Sequence, residues 1–197
     1  MSYLRRTGAK VGHAIVVTGV HGASRAGLEL LLKPDFGKHL SPEQRLSLIK
    51  AHQRPQPRLD VISLLELQVN RLKVESSNFQ LSIAGMDSSD GLADAIVQIC
   101  GASGVGAEID PKRITLPPSL SKLVSREQAL DWALYGGEDF ELVLCLPTET
   151  AEELVAKLGE GAAVIGKITS GNEVWLKDKT GTYADQLLSL NKGFQHF

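Results

Sequence analysis

The sequence predicts an α+β fold with α/β-like units, in which a mixed β-sheet is packed by helices on at least one face. Short β-branched or alternating apolar runs, typical of strands, alternate along the chain with stretches that carry apolar residues at helical spacing. The 197 residues, 43% of them hydrophobic, are enough for one large domain, or one domain and a small remainder, with a buried core.

The first strand and helix form a β-turn-α unit. Residues 14–18 are β-branched and closed by Gly19, which indicates a buried strand that enters a turn. A helix is predicted over 26–33, where leucines recur at helical spacing, with Ser24 as its N-cap.

Two further helices and a strand are expected before the middle of the chain. A helix over 41–52 begins with Ser-Pro, because proline at the first helical position loses no hydrogen bond. The prolines of 54–58 forbid regular structure and indicate a rigid surface connection. Residues 61–72 are apolar at helical spacing and predict a helix followed by a loop, whereas 79–86 alternate and predict a strand.

The second half of the chain continues to change between strand and helix patterns. The predicted strands cover 105–109, 140–146, 162–168 and 173–176. A helix is expected over 126–134, and a capping box formed by Thr150 and Glu153 predicts another helix to about residue 158. The turn at 170–172 indicates that the last two strands form a hairpin.

Charge and composition argue against several classes of protein. Twenty-one Lys and Arg residues against 23 Asp and Glu leave a net charge of −2 without a basic block, so nucleic acid is not an expected partner. No apolar stretch approaches the roughly 18 residues of a bilayer span, no membrane association is expected, and the cytoplasm is the expected location. The cysteines, Cys100 and Cys145, indicate buried thiols in a reduced compartment. Phosphate-loop, serine-hydrolase and zinc-protease signatures do not occur.

An acidic cluster lies where the strand over 79–86 passes into the next helix, which is expected to end near 101–104. If that helix begins at Ser89 or Asp90, the carboxylates of Asp87 and Asp90 can point to the same side. Magnesium suits such a pair best, because one or two carboxylates usually hold it together with water and phosphate oxygens. The alternative is that Ser89 and Asp90 only cap the helix while Asp87 bonds within the turn.

Three other segments carry groups that can bind a ligand. Residues 135–140 combine two glycines and two carboxylates, which form either a cation or metal contact or a tight turn with solvated acids. Residues 5–10 are basic and can bind polyphosphate oxygens or form a solvated surface. The tail at 193–197 contains two aromatic rings and a histidine that must dock or stack on something.

In their order along the chain, these motifs resemble the thiamine-monophosphate kinases, a family in the superfamily of aminoimidazole ribonucleotide synthetase. The matching segments are 6–10, 17–19 with 26–28, 54–58, 87–92, 136–142 and 193–197. The resemblance covers the carboxyl-terminal two-thirds or so of that family. We therefore expect 1–197 to be one domain of this carboxyl-terminal type, with the mixed sheet and helices of the superfamily. The family's amino-terminal domain is expected to be absent.

The resemblance implies transfer of the γ-phosphoryl group of ATP to thiamine monophosphate, with Mg²⁺ as cofactor and a homodimer in the full-length family. It implies roles for six residues: Asp87 and Asp90 as magnesium ligands, Arg6 and Ser89 as ATP contacts, and Glu138 and Phe194 as contacts to the thiamine substrate. The catalytic residue stays unknown from the sequence. The six assigned roles fit phosphoryl transfer, which depends mainly on positioning and charge neutralisation.

Two alternative functions stay open from the sequence. One is a non-catalytic module that binds thiamine phosphate or a nucleotide. It stays open because the carboxylates assigned to magnesium, Asp87 and Asp90, are too few to hold several magnesium ions. The other is a superfamily relative with a different small substrate, since a shared fold does not fix the substrate. The chain also departs from the family pattern at Gly12-His13 and at Ala23, where the family usually or often has an aspartate.

Overall fold

The computed structural model of the chain describes residues 4–75 and 82–190. Its strands are β1 (Ala14–Val17), β2 (Ala84–Asp87), β3 (Gly106–Ile109), β4 (Leu142–Leu146), β5 (Ala163–Thr169), β6 (Val174–Leu176) and β7 (Gln186–Leu188). Its helices are α1 (Ala23–Leu32), α2 (Pro42–Gln53), α3 (Leu59–Glu75), α4 (Leu92–Ser103), α5 (Leu120–Leu123), α6 (Arg126–Tyr135) and α7 (Thr148–Leu158), and a 3₁₀ helix spans Pro111–Arg113. The predicted α+β class is confirmed.

The sheet has the strand order β2-β4-β1-β5-β3-β6-β7 within the described residues. Neighbouring strands are antiparallel except β3 and β6, which are parallel. The predicted hairpin between the last two predicted strands is wrong, because β3 lies between β5 and β6. The connection passes over the start of β3 at Gly106, where an added Cβ would lie 2.6 Å from the Glu173 carbonyl oxygen. Ala107 then pairs with Val174 of β6.

Both faces of the central strands are covered. Ile15 and Val17 of β1 belong to a core that includes apolar residues of α4 and α6. Ala14 and Val16 point to a second core formed with α3 and α7. The alternation that predicted a strand over 140–146 therefore reflects the pleat between two buried faces, and the strand itself begins only at Leu142.

A third apolar cluster joins α1 and α2 to α6 and contains Leu30, Leu48 and Trp132. The helices predicted over 41–52 and 126–134 are confirmed, and Ser41 and Ser125 cap them through their side chains. This cluster fixes the position of α1, whose first turn reaches the candidate site described below.

Two predicted helix caps are wrong. Ser24 lies inside α1, which begins at Ala23 after Gly22, and Gly22 has no side chain to cap the helix. Likewise α7 begins at Thr148, so the proposed capping box of Thr150 and Glu153 lies within the helix rather than at its start. Apolar spacing predicted α1 and the proposed capping box predicted α7, so both helices were found but the first residue of each was not.

The remaining predictions hold in outline. Residues 61–72 lie within α3, 54–58 have no regular structure, and the predicted strand over 105–109 is observed as β3. The strand predicted over 79–86 is observed from Ala84, while 76–81 lie outside the described residues. Cys100 and Cys145 are buried free thiols. In the part of the chain that the structure describes, no helix is long and apolar enough to cross a membrane.

Candidate functional site

The acidic cluster forms a turn between β2 and α4. Asp87 ends β2, Gly91 precedes the first residue of α4, and the Gly91 amide donates to the Ser88 carbonyl at 3.0 Å. Because α4 begins at Leu92, the condition that it begins at Ser89 or Asp90 is not met. Gly91 has a φ of 116°, and an added Cβ would lie 2.8 Å from the Leu134 carbonyl oxygen at the end of α6. The turn and α6 approach each other closely because this residue is glycine.

The residue at the N-cap position of α4 is Gly91 and not Ser89 or Asp90, and Gly91 has no side chain to cap the helix. Asp87 is exposed and Asp90 is partly buried. Both carboxylates therefore belong to the turn and not to one face of a helix. They lie at the carboxyl end of β2, the edge strand of the sheet.

The negative charge of Asp90 affects the pKa of Asp94, which lies in the first turn of α4. Burial raises the pKa of Asp94, and the negative charge of Asp90 adds to that rise. A hydrogen bond from Gln98 and the positive charge of Arg6 act in the opposite direction. Arg6 thus lies close enough to this acidic region to interact with it electrostatically.

Arg6 belongs to an extended segment beside β2. The Gly85 amide donates to the Arg5 carbonyl at 2.8 Å, and the Ser103 hydroxyl donates to the Arg6 carbonyl at 3.1 Å. The side chain of Arg6 is exposed. The backbone of the predicted basic motif is therefore anchored between the edge strand and the end of α4, while its guanidinium stays available to solvent.

Glu138 meets the acidic turn through its backbone. Its amide donates to the Ser89 carbonyl at 2.7 Å, so two motifs about fifty residues apart in the sequence come together. Glu138 and Phe140 have φ values of 63° and 53°, in the left-handed region that residues with a side chain rarely adopt. Such strain costs on the order of 1 kcal/mol or more per residue and persists only where surrounding contacts hold it.

Asp139, between these two strained residues, provides one of those contacts. Its carboxylate accepts hydrogen bonds from the Gly22 amide at 2.7 Å and the Ser24 amide at 2.9 Å, at the start of α1. Burial raises the pKa of Asp139 to about 6, although these amides favour the charged form. Of the two alternatives for residues 135–140, the one with solvated acids is wrong for this residue. Asp139 supplies the cap that was predicted for Ser24.

Glu141 provides the second contact, on the other side of Phe140. Its Oε2 accepts from the Thr18 hydroxyl at 2.6 Å and from Arg58 at 2.7 Å. Arg58 also donates to the Thr18 carbonyl and pairs with Asp60. This ion pair was not predicted, because nothing in the proline-rich connection indicates which acid Arg58 pairs with.

His21, which was not predicted as a site residue, is fully buried between the β1–α1 loop and the acidic turn. Its Nδ1 lies 3.2 Å from the Gly19 carbonyl oxygen and its Nε2 lies 3.1 Å from the Ser88 hydroxyl. Burial lowers the pKa of His21 to about 4, so the imidazole is neutral at pH 7. Among the five scattered histidines, no spacing signal singled out this one.

Phe194 and the tail at 193–197 lie outside the described residues. The other five predicted site residues fall into two groups. Asp87, Ser89, Asp90 and Glu138 lie on two touching loops, and Arg6 lies on the segment beside them. Within the described residues, no group of three or more His, Cys, Asp or Glu side chains is arranged to hold a metal ion.

Comparisons with known proteins find relatives along nearly the whole chain. The profile described as AIR synthase related protein, C-terminal domain, matches residues 10–179. A thiamine-monophosphate kinase of Synechococcus elongatus is 47% identical over 194 residues, covering 98% of this chain and 54% of the relative. That of Escherichia coli strain K12 is 35% identical, with coverage of 98% and 55%. The chain therefore spans about half the length of the curated relatives it matches.

Solved structures share this fold. A structure described as AaThiL complexed with AMPPCP and TMP has a TM-score of 0.71 at 29% identity and covers 99% of this chain and 54% of that one. The thiamine monophosphate kinase of Aquifex aeolicus has a TM-score of 0.68 at 30% identity, with coverage of 91% and 54%. The hydrogenase maturation protein HypE of Escherichia coli, at 18% identity, a TM-score of 0.68 and coverage of 96% and 54%, shows the fold alone.

Proposed function

The chain belongs to the AIR synthase related protein family, whose carboxyl-terminal domain it contains, and on that premise we propose that it is part of a thiamine-monophosphate kinase. In the proposed reaction, a phosphate oxygen of thiamine monophosphate attacks the γ-phosphorus of ATP. The bond from that phosphorus to the β,γ-bridging oxygen breaks, a new diphosphate bond forms, and ADP leaves. The names of the relatives and the AMPPCP and TMP of a solved relative support this assignment.

Asp87 and Asp90 are the residues that would hold Mg²⁺. Two carboxylates at the end of a strand fit this ion, which proteins usually bind through one or two carboxylates while water and phosphate oxygens complete the shell. When bound, the ion would neutralise negative charge on the phosphate oxygens of ATP. Asp87 is exposed and Asp90 is partly buried, so both carboxylates could contact one Mg²⁺ ion that enters from solvent.

Arg6 and Ser89 are proposed to contact ATP. Arg6 is exposed and its backbone is anchored, so its guanidinium can reach a phosphate without first ordering the main chain. Its fork geometry suits bidentate contact to phosphate oxygens. Ser89 lies between the two acidic residues in the turn, and the Glu138 amide bonds to its carbonyl oxygen.

Glu138 and Phe194 are proposed to contact the thiamine substrate. Thiamine carries a positively charged thiazolium ring, which a carboxylate attracts and an aromatic face can stack against. Glu138 is partly buried beside the nucleotide-side turn, so its carboxylate would face the acceptor close to the donor phosphates. The observation that carries the proposal is the 2.7 Å hydrogen bond between Glu138 and Ser89, which joins the acceptor motif to the nucleotide motif.

The test joins the amino-terminal part of the Synechococcus elongatus relative to this chain and measures ATP-dependent formation of thiamine diphosphate. Asp87→Asn and Asp90→Asn are each expected to lower kcat/KM by about 100-fold or more, because the charge that binds the metal is lost. Asp35→Asn is the matched control, since Asp35 is an exposed acid paired with Lys38 on the loop between α1 and α2. Unchanged rates in both site variants would reject the assignment.

A non-catalytic binding module is the second candidate. It is favoured by the absence, within 4–75 and 82–190, of a group of three or more metal-binding side chains. Calorimetry on the chain alone and a turnover assay of the fusion protein together separate the two functions. If the chain binds Mg²⁺-AMPPCP or thiamine monophosphate and the fusion protein shows no turnover, the module is supported, whereas turnover excludes it.

We further propose that the complete enzyme is a homodimer, as the family resemblance implies, and that it works in the cytoplasm. Use of ATP as the phosphoryl donor fits that compartment. Analytical ultracentrifugation of the fusion protein tests the dimer, and a monomer at micromolar concentration would contradict it.

A further inference from the structure

His21 connects the β1–α1 loop to the acidic turn through two ring nitrogens. The Gly19 carbonyl can only accept, so the nitrogen 3.2 Å from it, Nδ1, carries the proton of the neutral ring. The unprotonated Nε2 then accepts a hydrogen bond from the Ser88 hydroxyl at 3.1 Å. The side chain is 0% exposed, which prevents His21 itself from contacting a ligand.

Ser88 is buried and forms hydrogen bonds through its side chain, its amide and its carbonyl. It is 1% exposed, its amide donates to the Glu141 carbonyl at 2.8 Å, and its own carbonyl accepts from the Gly91 amide. Its neighbours Asp87 and Ser89 are less buried. Holding Ser88 in place therefore sets the orientation of Asp87 and Ser89, the residues on either side of it in the turn.

We propose that His21 is a positioning residue that sets the Ser88 side chain, and through it the acidic turn, in the arrangement that Asp87 and Asp90 need to bind a magnesium-nucleotide complex. This inference rests on the proposed function and adds a residue that does not touch the ligand. Groups that orient metal ligands in this indirect way typically change metal affinity by about 10- to 100-fold when they are removed.

The same geometry shows why removal of His21 should not unfold the turn. The Ser88 hydroxyl also lies 3.2 Å from the Glu141 carbonyl oxygen, which offers it another acceptor. Without the imidazole the hydroxyl can rotate to that acceptor, so the turn keeps its backbone bonds but loses one restraint. The expected defect is in ligand affinity and not in the presence of the fold.

The experiment measures calorimetric affinity of the chain for Mg²⁺-AMPPCP and, in the fusion protein, KM and kcat. His21→Leu is expected to weaken Mg²⁺-AMPPCP binding about 10-fold and to raise the KM for Mg²⁺-ATP, while the KM for thiamine monophosphate stays unchanged. His21→Gln should recover most of the loss, because its amide oxygen can accept from Ser88. In a Ser88→Ala background, His21→Leu should add little.

His52→Leu is the matched control. His52 also pairs with a serine, since its Nδ1 lies 3.0 Å from the Ser24 hydroxyl, but it connects α2 to α1 and does not contact the turn. Equal effects of His21→Leu and His52→Leu on nucleotide affinity, or no effect of His21→Leu, overturn the inference. If Asp87→Asn abolishes binding while His21→Leu does not change it, the proposed function stands and the inference fails. If the wild-type protein neither binds Mg²⁺-AMPPCP nor turns over, both fail.

Discussion

Two loops in this protein are organised around a carboxylate that accepts backbone hydrogen bonds, and the pKa values of the two carboxylates shift in opposite directions. Asp178 accepts from the amides of Thr180, Thr182 and Tyr183, all within five residues of it. Asp139 accepts from Gly22 and Ser24, more than one hundred residues away. The first carboxylate closes a local surface loop, and the second joins distant elements at the candidate site.

The difference in pKa follows from the number of donors and from the surroundings. Burial acts to raise the pKa of Asp178, but the Thr180 hydroxyl and three backbone amides outweigh it and hold the pKa well below its usual range. At Asp139, burial prevails over its amide donors, and the charge of nearby Glu141 adds to the rise to about 6. The hydrogen bonds of Asp139, which joins distant elements, thus offset burial less completely than those of Asp178, which closes a local loop.

The largest expected effect is a change in the pH dependence of stability. The folded pKa of His21, about 4, lies below the unfolded value of 6.5, so the unfolded state binds the proton and stability rises with pH across that window. This gives about 3 kcal/mol between pH 4 and 6.5. The folded pKa of Asp139, about 6, lies above the unfolded 3.8, so its contribution falls as pH rises from about 4 to 6.

Because the two contributions oppose each other, the wild-type stability should be nearly flat over this range. Asp139→Asn removes one of them, and urea unfolding between pH 4.5 and 6.5 should then show stability rising with pH. His21→Leu should give the opposite slope. Slopes identical to the wild type in both variants would contradict the assigned shifts.

The next effect in size is the loss of the distant carboxylate itself. Asp139→Ala should lower the free energy of unfolding at pH 7 by about 2 kcal/mol, because the first amides of α1 lose their acceptor. It should also weaken substrate binding through Glu138, whose left-handed backbone loses an anchor. Urea denaturation and the KM for thiamine monophosphate measure the two effects. A loss of stability with an unchanged KM for thiamine monophosphate would show that Asp139 caps α1 without supporting the candidate site.

The local loop should be less costly to disrupt. Asp178→Ala is expected to lower the free energy of unfolding by about 1 kcal/mol, since the loop amides can turn toward water when they lose the carboxylate. Kinetic parameters of the fusion protein should not change, because these bonds stay within the segment 178–183. A change in nucleotide affinity would show that the two loops are coupled.

The smallest effect concerns one hydroxyl in that loop. Thr180→Val removes the Thr180 Oγ1 bond to Asp178 at 2.7 Å but keeps the amide bond at 2.9 Å. We expect a loss of about 0.5 kcal/mol and a higher pKa for Asp178, visible by NMR titration of the carboxylate. Thr182→Val is a suitable control because Thr182 binds this carboxylate through its amide, which the substitution keeps.

Much of the fold was predictable because the signals are local. The Ser41 cap and the Pro at the next position determined the start of α2 through contacts within one turn. Apolar periodicity found α3 and α4, and the alternation of apolar residues found β4. Each of these features depends on neighbours a few residues away, which a single sequence displays directly.

The candidate site was predictable only in its residue types. The resemblance identified the two motifs that contain Asp87, Asp90 and Glu138, and the structure brings those motifs into contact. It could not identify His21, Arg58 or Asp139 as the groups that hold them. Their partners lie dozens of residues away, and many acids, serines and amides along the chain satisfy the same bonding rules.

By itself, the sequence of this protein determined where helices and strands form and which polar segments carry ligand chemistry, because periodicity, caps and turns act over a few residues. Only the tertiary structure decided that β3 separates β5 from β6, that Asp139 caps α1 and that His21 holds Ser88. Strand order and buried hydrogen-bond partners depend on the simultaneous packing of both sheet faces. That packing selects one arrangement from many that the local signals allow equally.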